Sequence, residues 1–203
     1  MEHYIYNTPV FTISEVGPDI SLPHFCEEAE SLLPPHVFEN IDVIYIGEFP
    51  ELSGRNALFS DGAIYITSKE PTNFDMLEDL VHEVAHALEE SNKWDIFDLS
   101  LEREFLSKRH ALYHLLNSHN YHFNPLRYSD LEYSAEFDKF LADEVGYPTL
   151  VSLTIGLFVS PYAATSINEY FANGVENYIL EDPHRVKQIS PILYGKIDNI
   201  FNE

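Results

Sequence analysis

Cysteine occurs once in the 203 residues, as Cys26, so no disulfide can close within the chain and a four-cysteine structural zinc site is excluded. Any metal must then be held by histidine and carboxylate. Cys26 stands before Glu27 and Glu28, where a thiol that shields a metal reversibly is conceivable, but a lone cysteine reads first as a small buried hydrophobe. Basic residues are scarce as well: 11 Lys and Arg face 34 Asp and Glu, a formal charge of −23. Such a balance repels phosphate backbones and anionic lipid surfaces, which argues against nucleic acid and membrane partners and for a well-solvated surface. Long apolar runs are missing too. The most apolar stretch, residues 150–159, falls well short of the roughly 20 residues a membrane-spanning helix needs. Residues 1–10 lack a basic cluster followed by an apolar run, so the default expectation is a cytoplasmic location, with secretion by another route left open. Repeats, low-complexity tracts and Gly/Ser linkers are also lacking, which suits a single domain over residues 1–203 of unassigned oligomeric state.

What is present is a large apolar inventory, 45% hydrophobic with 14 Phe and 13 Tyr, enough to offset chain entropy without covalent staples. The clearest early break is Leu33, Pro34 and Pro35. After it, residues 41–46 (IDVIYI) and 63–67 (AIYIT) are short, β-branched and aromatic, and are expected as strands, the second opened by the turn pair Asp61 and Gly62. From Thr72 the period changes. Phe74, Leu77, Leu80, Val81, Val84 and Leu88 recur at helical spacing, and Thr72 with Asp75 supplies an N-terminal cap. Residues 101–117 and 134–145 read as further helices, 150–159 as helix or strand, and 186–200 as a terminal helix. Between the last two a helix begins at Ser166 and ends before Pro183.

The chemistry is concentrated in His82-Glu83-Val84-Ala85-His86. Two imidazoles four residues apart on one helix point to the same side and can reach one zinc ion, with Glu83 placed as general base for the attacking water. The pattern arises by chance in about one sequence in twenty of this composition; here it falls inside the strongest helical segment, flanking its apolar face. The plainer alternative is a pair of partly buried structural histidines beside a surface acid. A catalytic zinc takes a third protein ligand, and Glu169, near the start of the Ser166 helix, is the best candidate. Ser166 and Glu169 also have the S-x-x-E spacing of a capping box, which would engage that residue differently. Tyr162 is one of 13 tyrosines, most of them expected to be packing residues. His110, His114, His119 and His122 form a local enrichment that a second metal site would explain, although exposed histidines of a long helix look the same.

HEVAH, followed by Ser160-Pro161-Tyr162-Ala163-Ala164-Thr165-Ser166 and then Asn168-Glu169-Tyr170-Phe171-Ala172, resembles the catalytic domain of anthrax lethal factor and the related Pro-Pro endopeptidases. The resemblance is close in these two blocks and loose over residues 41–180. It implies that Glu169 is the third zinc ligand and that Tyr162 stabilises the oxyanion of the transition state. Residues 87–168 separate His86 from Glu169, a longer stretch than the family pattern leads one to expect. No pocket residue is matched, so proline specificity is not carried over.

The resulting expectation is an α+β fold of the zincin kind, with a small N-terminal mixed β-sheet over the HExxH helix, a mainly helical C-terminal half and a cleft between. Residues 63–67 are expected as the edge strand that binds an extended substrate. The expected activity is zinc-dependent endopeptidase hydrolysis of a protein or peptide substrate, with His82, His86 and Glu169 as ligands, Glu83 as base and Tyr162 as oxyanion donor. The other class is a zinc-binding regulatory or toxin-like interaction module without peptidase activity.

Overall fold

A computed structural model describes residues 3–202, which form an α+β protein with one five-stranded mixed sheet and, among the described residues, eight α-helices. The chain divides into two compact units, the first ending at Asn92 and the second beginning at Lys93. No helix among the described residues is long and apolar enough to cross a membrane.

The first unit carries the sheet, built from β1 (His3–Ile5), β2 (Thr8–Thr12), β3 (Val43–Ile46), β4 (Ala57–Ser60) and β5 (Ala63–Ile66) in the order β1-β2-β3-β5-β4. The three inner strands run parallel and the two outer ones antiparallel to their neighbours. Alternation decides the faces: Val10, Ile44, Ile46, Ile64 and Ile66 are all 0% exposed. The intervening Phe11, Tyr45 and Tyr65 lie in register across three strands as an aromatic row on the opposite face. Asp61 and Gly62, with φ of +50° and +77°, make the tight turn that joins β4 to β5, as their sequence pair suggests. The strand expected at residues 63–67 is therefore real but internal. The outer strand is β4, whose short Ala-Leu-Phe-Ser sequence has no run of β-branched residues to announce it.

Helix α1 (Leu22–Leu32) precedes the Pro34-Pro35 break and buries Phe25, Cys26 and Ala29. Burial, with Glu30 and Glu27 adding to it, pushes the Cys26 thiol up to about 11, which leaves it a protonated packing group at neutral pH. Helix α2 (Asn73–Ile96) opens on the expected cap, Thr72 Oγ1 accepting the Asp75 N–H at 3.2 Å and donating to the Asp75 carboxylate at 2.6 Å. It leaves helical angles at Asn92 (φ −115°, ψ 20°).

The second unit is helical. Helix α3 (Leu99–Ser118) starts on Asp98, whose carboxylate accepts the Ser100 and Leu101 N–H groups and pairs with Lys196 at 2.7 Å. Helix α4 (Ala135–Lys139) widens into a π-helical turn over Phe140–Val145 that Gly146 ends at φ +81°. The ambiguous 150–159 stretch resolves as α5 (Tyr147–Thr154) followed by an irregular segment with buried Phe158 and Val159. Helix α6 (Ile167–Glu176) begins after Ser166 and passes into a π-helical turn at 177–181. The terminal helix expected at 186–200 is two, α7 (Pro183–Ile189) and α8 (Pro191–Phe201). Pro191 cannot donate the hydrogen bond that continuity would require.

Helix α6 lies so close to α8 that a Cβ at Gly174 would stand 2.6 Å from Leu193 Cδ2 and 3.1 Å from Ile197 Cδ1. Both neighbours are 0% exposed and have little room to yield. Gly174→Ala should therefore destabilise the protein by about 1–3 kcal/mol, the range for overpacking a filled core, against the gain that alanine normally brings to a helix. Chemical denaturation checks it; an unchanged or raised midpoint would mean that α8 adjusts freely.

Candidate metal centre

The apolar residues of α2 set the orientation of its two imidazoles. Met76, Leu77, Leu80, Val81, Val84 and Ala85 are 2% exposed or less, so the helix has one fixed buried face. His82 and His86 fall on its flank, half-buried, with ring centroids 4.9 Å apart and planes inclined at 77°. Glu89, one turn further on and 8% exposed, brings a carboxylate oxygen to 3.4 Å from His86 Nδ1. A carboxylate on one ring nitrogen orients the imidazole and raises its basicity as a ligand through the other. The sequence contained this signal as an acid three residues after the second histidine.

Glu83 is 7% exposed, and a carboxylate is not buried without compensation. Its Oε2 accepts the backbone N–H of Phe59 at 2.6 Å. That bond follows from the position of β4 as an outer strand, since one of its two hydrogen-bonding sides has no partner strand. By the alternation of an antiparallel ladder, the Phe59 carbonyl and the N–H and C=O of Ala57 share that outer side.

A second acid lies one turn before the motif. Asp79 is pushed up to about 8, first by burial and then by Glu70, with which it shares a hydrogen bond. Glu70, 6% exposed, is itself raised by burial. The two carboxyls hold a proton in common near neutral pH, so α2 presents a neutral acid, instead of a second anion, close to Glu83.

The second unit supplies Glu169 and Tyr162. Ser166 Oγ accepts the Glu169 N–H at 3.1 Å. This half of the cap uses the backbone of Glu169. Tyr162 opens a single tight turn, Tyr162–Ala164, and is half-buried. Burial, then the nearby Glu169 charge, raises its phenol well above the ordinary range, which keeps it a hydrogen-bond donor at any physiological pH.

The ligand atoms of His82, His86 and Glu169 all lie within 4.8 Å of one another, a His-His-Glu group at metal-binding distance. Among the described residues it is the one group of three such side chains brought together in this way. The other histidine-rich stretch is dispersed. His110 meets Ser129 Oγ at 3.1 Å, His119 the Leu115 carbonyl at 2.9 Å and His122 the Asn117 side chain at 2.6 Å, while His114 packs on Tyr113.

The Asp79 proton links pH to stability. The folded protein holds it up to about pH 8, whereas an unfolded aspartate releases it near 3.9. Its stabilising contribution is complete below about pH 4 and is lost as pH rises through the folded value. Asp79→Asn cannot lose this proton, so its melting temperature relative to wild type should climb between pH 5 and 9. A difference that stays flat over that range would mean that both carboxyls are solvated.

No family model, no curated protein and no solved structure matches this chain. The functional reading therefore stands on the residues and their geometry.

Proposed function

We propose that this chain is a zinc-dependent endopeptidase of the zincin kind, akin to the lethal factor and Pro-Pro endopeptidase group that its two motif blocks resemble. The observation that carries the proposal is the His82, His86 and Glu169 group, with ligand atoms within 4.8 Å of one another, the two histidines standing on a helix that bears a buried acid, Glu83, between them. Two imidazoles and one carboxylate form the donor set of a catalytic zinc, borderline in softness and one short of four. Oxygen-seeking calcium or magnesium would find a single carboxylate here.

Zinc bound by His82, His86 and Glu169 would supply the Lewis acidity that polarises the scissile carbonyl. The remaining steps belong to the protein. Glu83 accepts a proton from the attacking water at its carboxylate and delivers it to the departing amine. The Phe59 N–H holds that carboxylate by its Oε2. Tyr162, kept protonated by its surroundings, donates to the carbonyl oxygen as negative charge develops there. The outer side of β4 offers the Ala57 N–H and C=O and the Phe59 C=O to an extended peptide, which would bring a backbone alongside Glu83 by strand addition. This role passes from β5, the strand first expected to have it, to β4.

Glu83→Gln keeps an oxygen for the Phe59 N–H but cannot take up a proton at neutral pH. The variant should bind about one zinc per chain, as wild type does, and lose about 10²- to 10⁴-fold in peptide turnover. Elemental analysis and cleavage of an unbiased peptide library read the two properties separately. Wild-type protein that takes up no zinc after metal loading, or a variant as active as its parent, sinks the proposal.

Glu169→Ala retains the backbone N–H that the Ser166 cap accepts, so the metal-free protein should still fold, at a cost of no more than about 2 kcal/mol, the range for a lost cap. Zinc should then be stripped by a mild chelator that leaves wild type loaded. Equal retention in both proteins would place the third ligand elsewhere.

A further inference from the structure

The stretch between the two motif blocks contains a buried basic pair, Lys108 and Arg109, on α3. They are 8% and 1% exposed. Burying a guanidinium is costly unless its donors are satisfied, and among the described residues Arg109 has no carboxylate at ion-pair distance. It uses backbone carbonyls instead. Nη1 donates to Ala164 O at 2.7 Å and Thr165 O at 3.1 Å, and Nη2 donates to Arg127 O. The Phe137 ring packs on the guanidinium, with its centroid 4.3 Å away, a cation–π contact that strengthens where water is excluded. Lys108 Nζ holds the carbonyls of Leu157 at 2.7 Å and Ile189 at 2.6 Å.

Three of these five carbonyls bracket one segment. Leu157 precedes Tyr162, and Ala164 and Thr165 lie between Tyr162 and the Ser166 cap of α6. Thr165 closes the turn on Tyr162 itself, its N–H and Oγ1 donating to the Tyr162 carbonyl at 3.0 and 2.8 Å. The start of the turn is fastened separately. Ser160 Oγ accepts the Ala163 N–H and donates to Asn173 Oδ1, and Asn173 Nδ2 donates to the Glu169 carbonyl at 2.9 Å. A shift at Ala164 and Thr165 therefore carries Tyr162 with it, while the Ser160–Asn173 link keeps the front of the turn on α6.

We propose that Arg109 is a positioning residue for Tyr162: by gripping the Ala164 and Thr165 carbonyls it fixes the turn that aims the phenol. This rests on the peptidase reading for the meaning of the aim, though not for the grip itself. The residues that lengthen the chain between the motif blocks thereby gain a task, since α3 supplies the grip on the turn.

Arg109→Lys is the test. Lys108 demonstrates that an ammonium on this helix can hold two carbonyls, so the variant should fold while releasing at least one of the three that Arg109 holds. 3-Fluorotyrosine introduced at position 162 of the full chain reports the phenol by ¹⁹F NMR, with the same label at Tyr45 as a control. The Tyr162 resonance should shift or split in Arg109→Lys and the Tyr45 resonance should not. Turnover on the best library peptide should fall about ten- to hundredfold with KM within about twofold, as expected when a group that acts on the transition state is misaimed. Arg109→Gln, neutral but with two donors, gives the same readings if the lysine variant does not fold. A folded variant with the Tyr162 resonance unmoved overturns the inference, whatever its turnover. A wild type that cleaves no peptide, together with a displaced Tyr162 resonance in the variant, removes the peptidase reading and leaves the grip of Arg109 on the turn established.

Discussion

A carboxylate buried against the flank of a helix needs a donor, and the bond from the Phe59 N–H to Glu83 is the constraint on which the first unit's chemistry depends. An inner strand has no amide to spare, because both of its sides are committed to the ladder. Only the outer strand of the sheet can meet Glu83, and only if a two-residue turn sets its register so that Phe59 points outward. Asp61 and Gly62 provide that turn with the positive φ values it demands. The same constraint puts the Ala57 N–H and C=O on the same outer side as the Phe59 N–H. A peptide aligned there would meet a carboxylate already fixed in position, which is worth more than one that must be ordered on binding.

The second unit meets a related constraint with the opposite charge. Its Tyr162 turn has carbonyl oxygens directed inward, and buried carbonyls need donors as much as buried carboxylates do. Lysine and arginine on α3 satisfy them with strong charge-assisted bonds, in a chain where basic residues are outnumbered by about three to one. Two of the 11 basic residues are thus spent on backbone and not on the acidic surface. Gly174 adds a steric condition, since α6 can carry Glu169 where it does only while α8 approaches without a side chain in between.

The sequence was most legible where one residue type permits few alternatives. The period of α2, its Thr72 and Asp75 cap, the Asp61-Gly62 turn and the strands at β3 and β5 could be read directly, because local sterics and alternation decide them. Of the three side chains that the structure brings together, His82 and His86 are legible from spacing, and Glu169 from its place near the start of a second helix and from the resemblance. Strand β4 was not legible, since its propensity is ordinary and its role comes from sheet order, a long-range property. Arg109 was hidden for a similar reason: nothing local distinguishes an arginine that grips distant carbonyls from one that faces water. The split of the terminal helix was legible in principle at Pro191, which the apolar period of the flanking residues masked.

Negative charge ties these observations to metal binding. Glu83, Glu89 and Glu169 carry carboxylates on or beside the His-His-Glu group, and the chain as a whole carries −23. Mutual repulsion among such charges weakens the folded state, and the proton shared by Asp79 and Glu70 relieves part of it near neutral pH. A divalent cation on His82, His86 and Glu169 would relieve more, directly and without a pH requirement on Asp79. Binding to the folded chain alone stabilises it by about 2.7 kcal/mol at a hundredfold excess over the dissociation constant, a sizeable fraction of the 5–15 kcal/mol typical of a domain. On the zinc proposal, a bound cation would offset charge that the bare protein must otherwise carry among these acids.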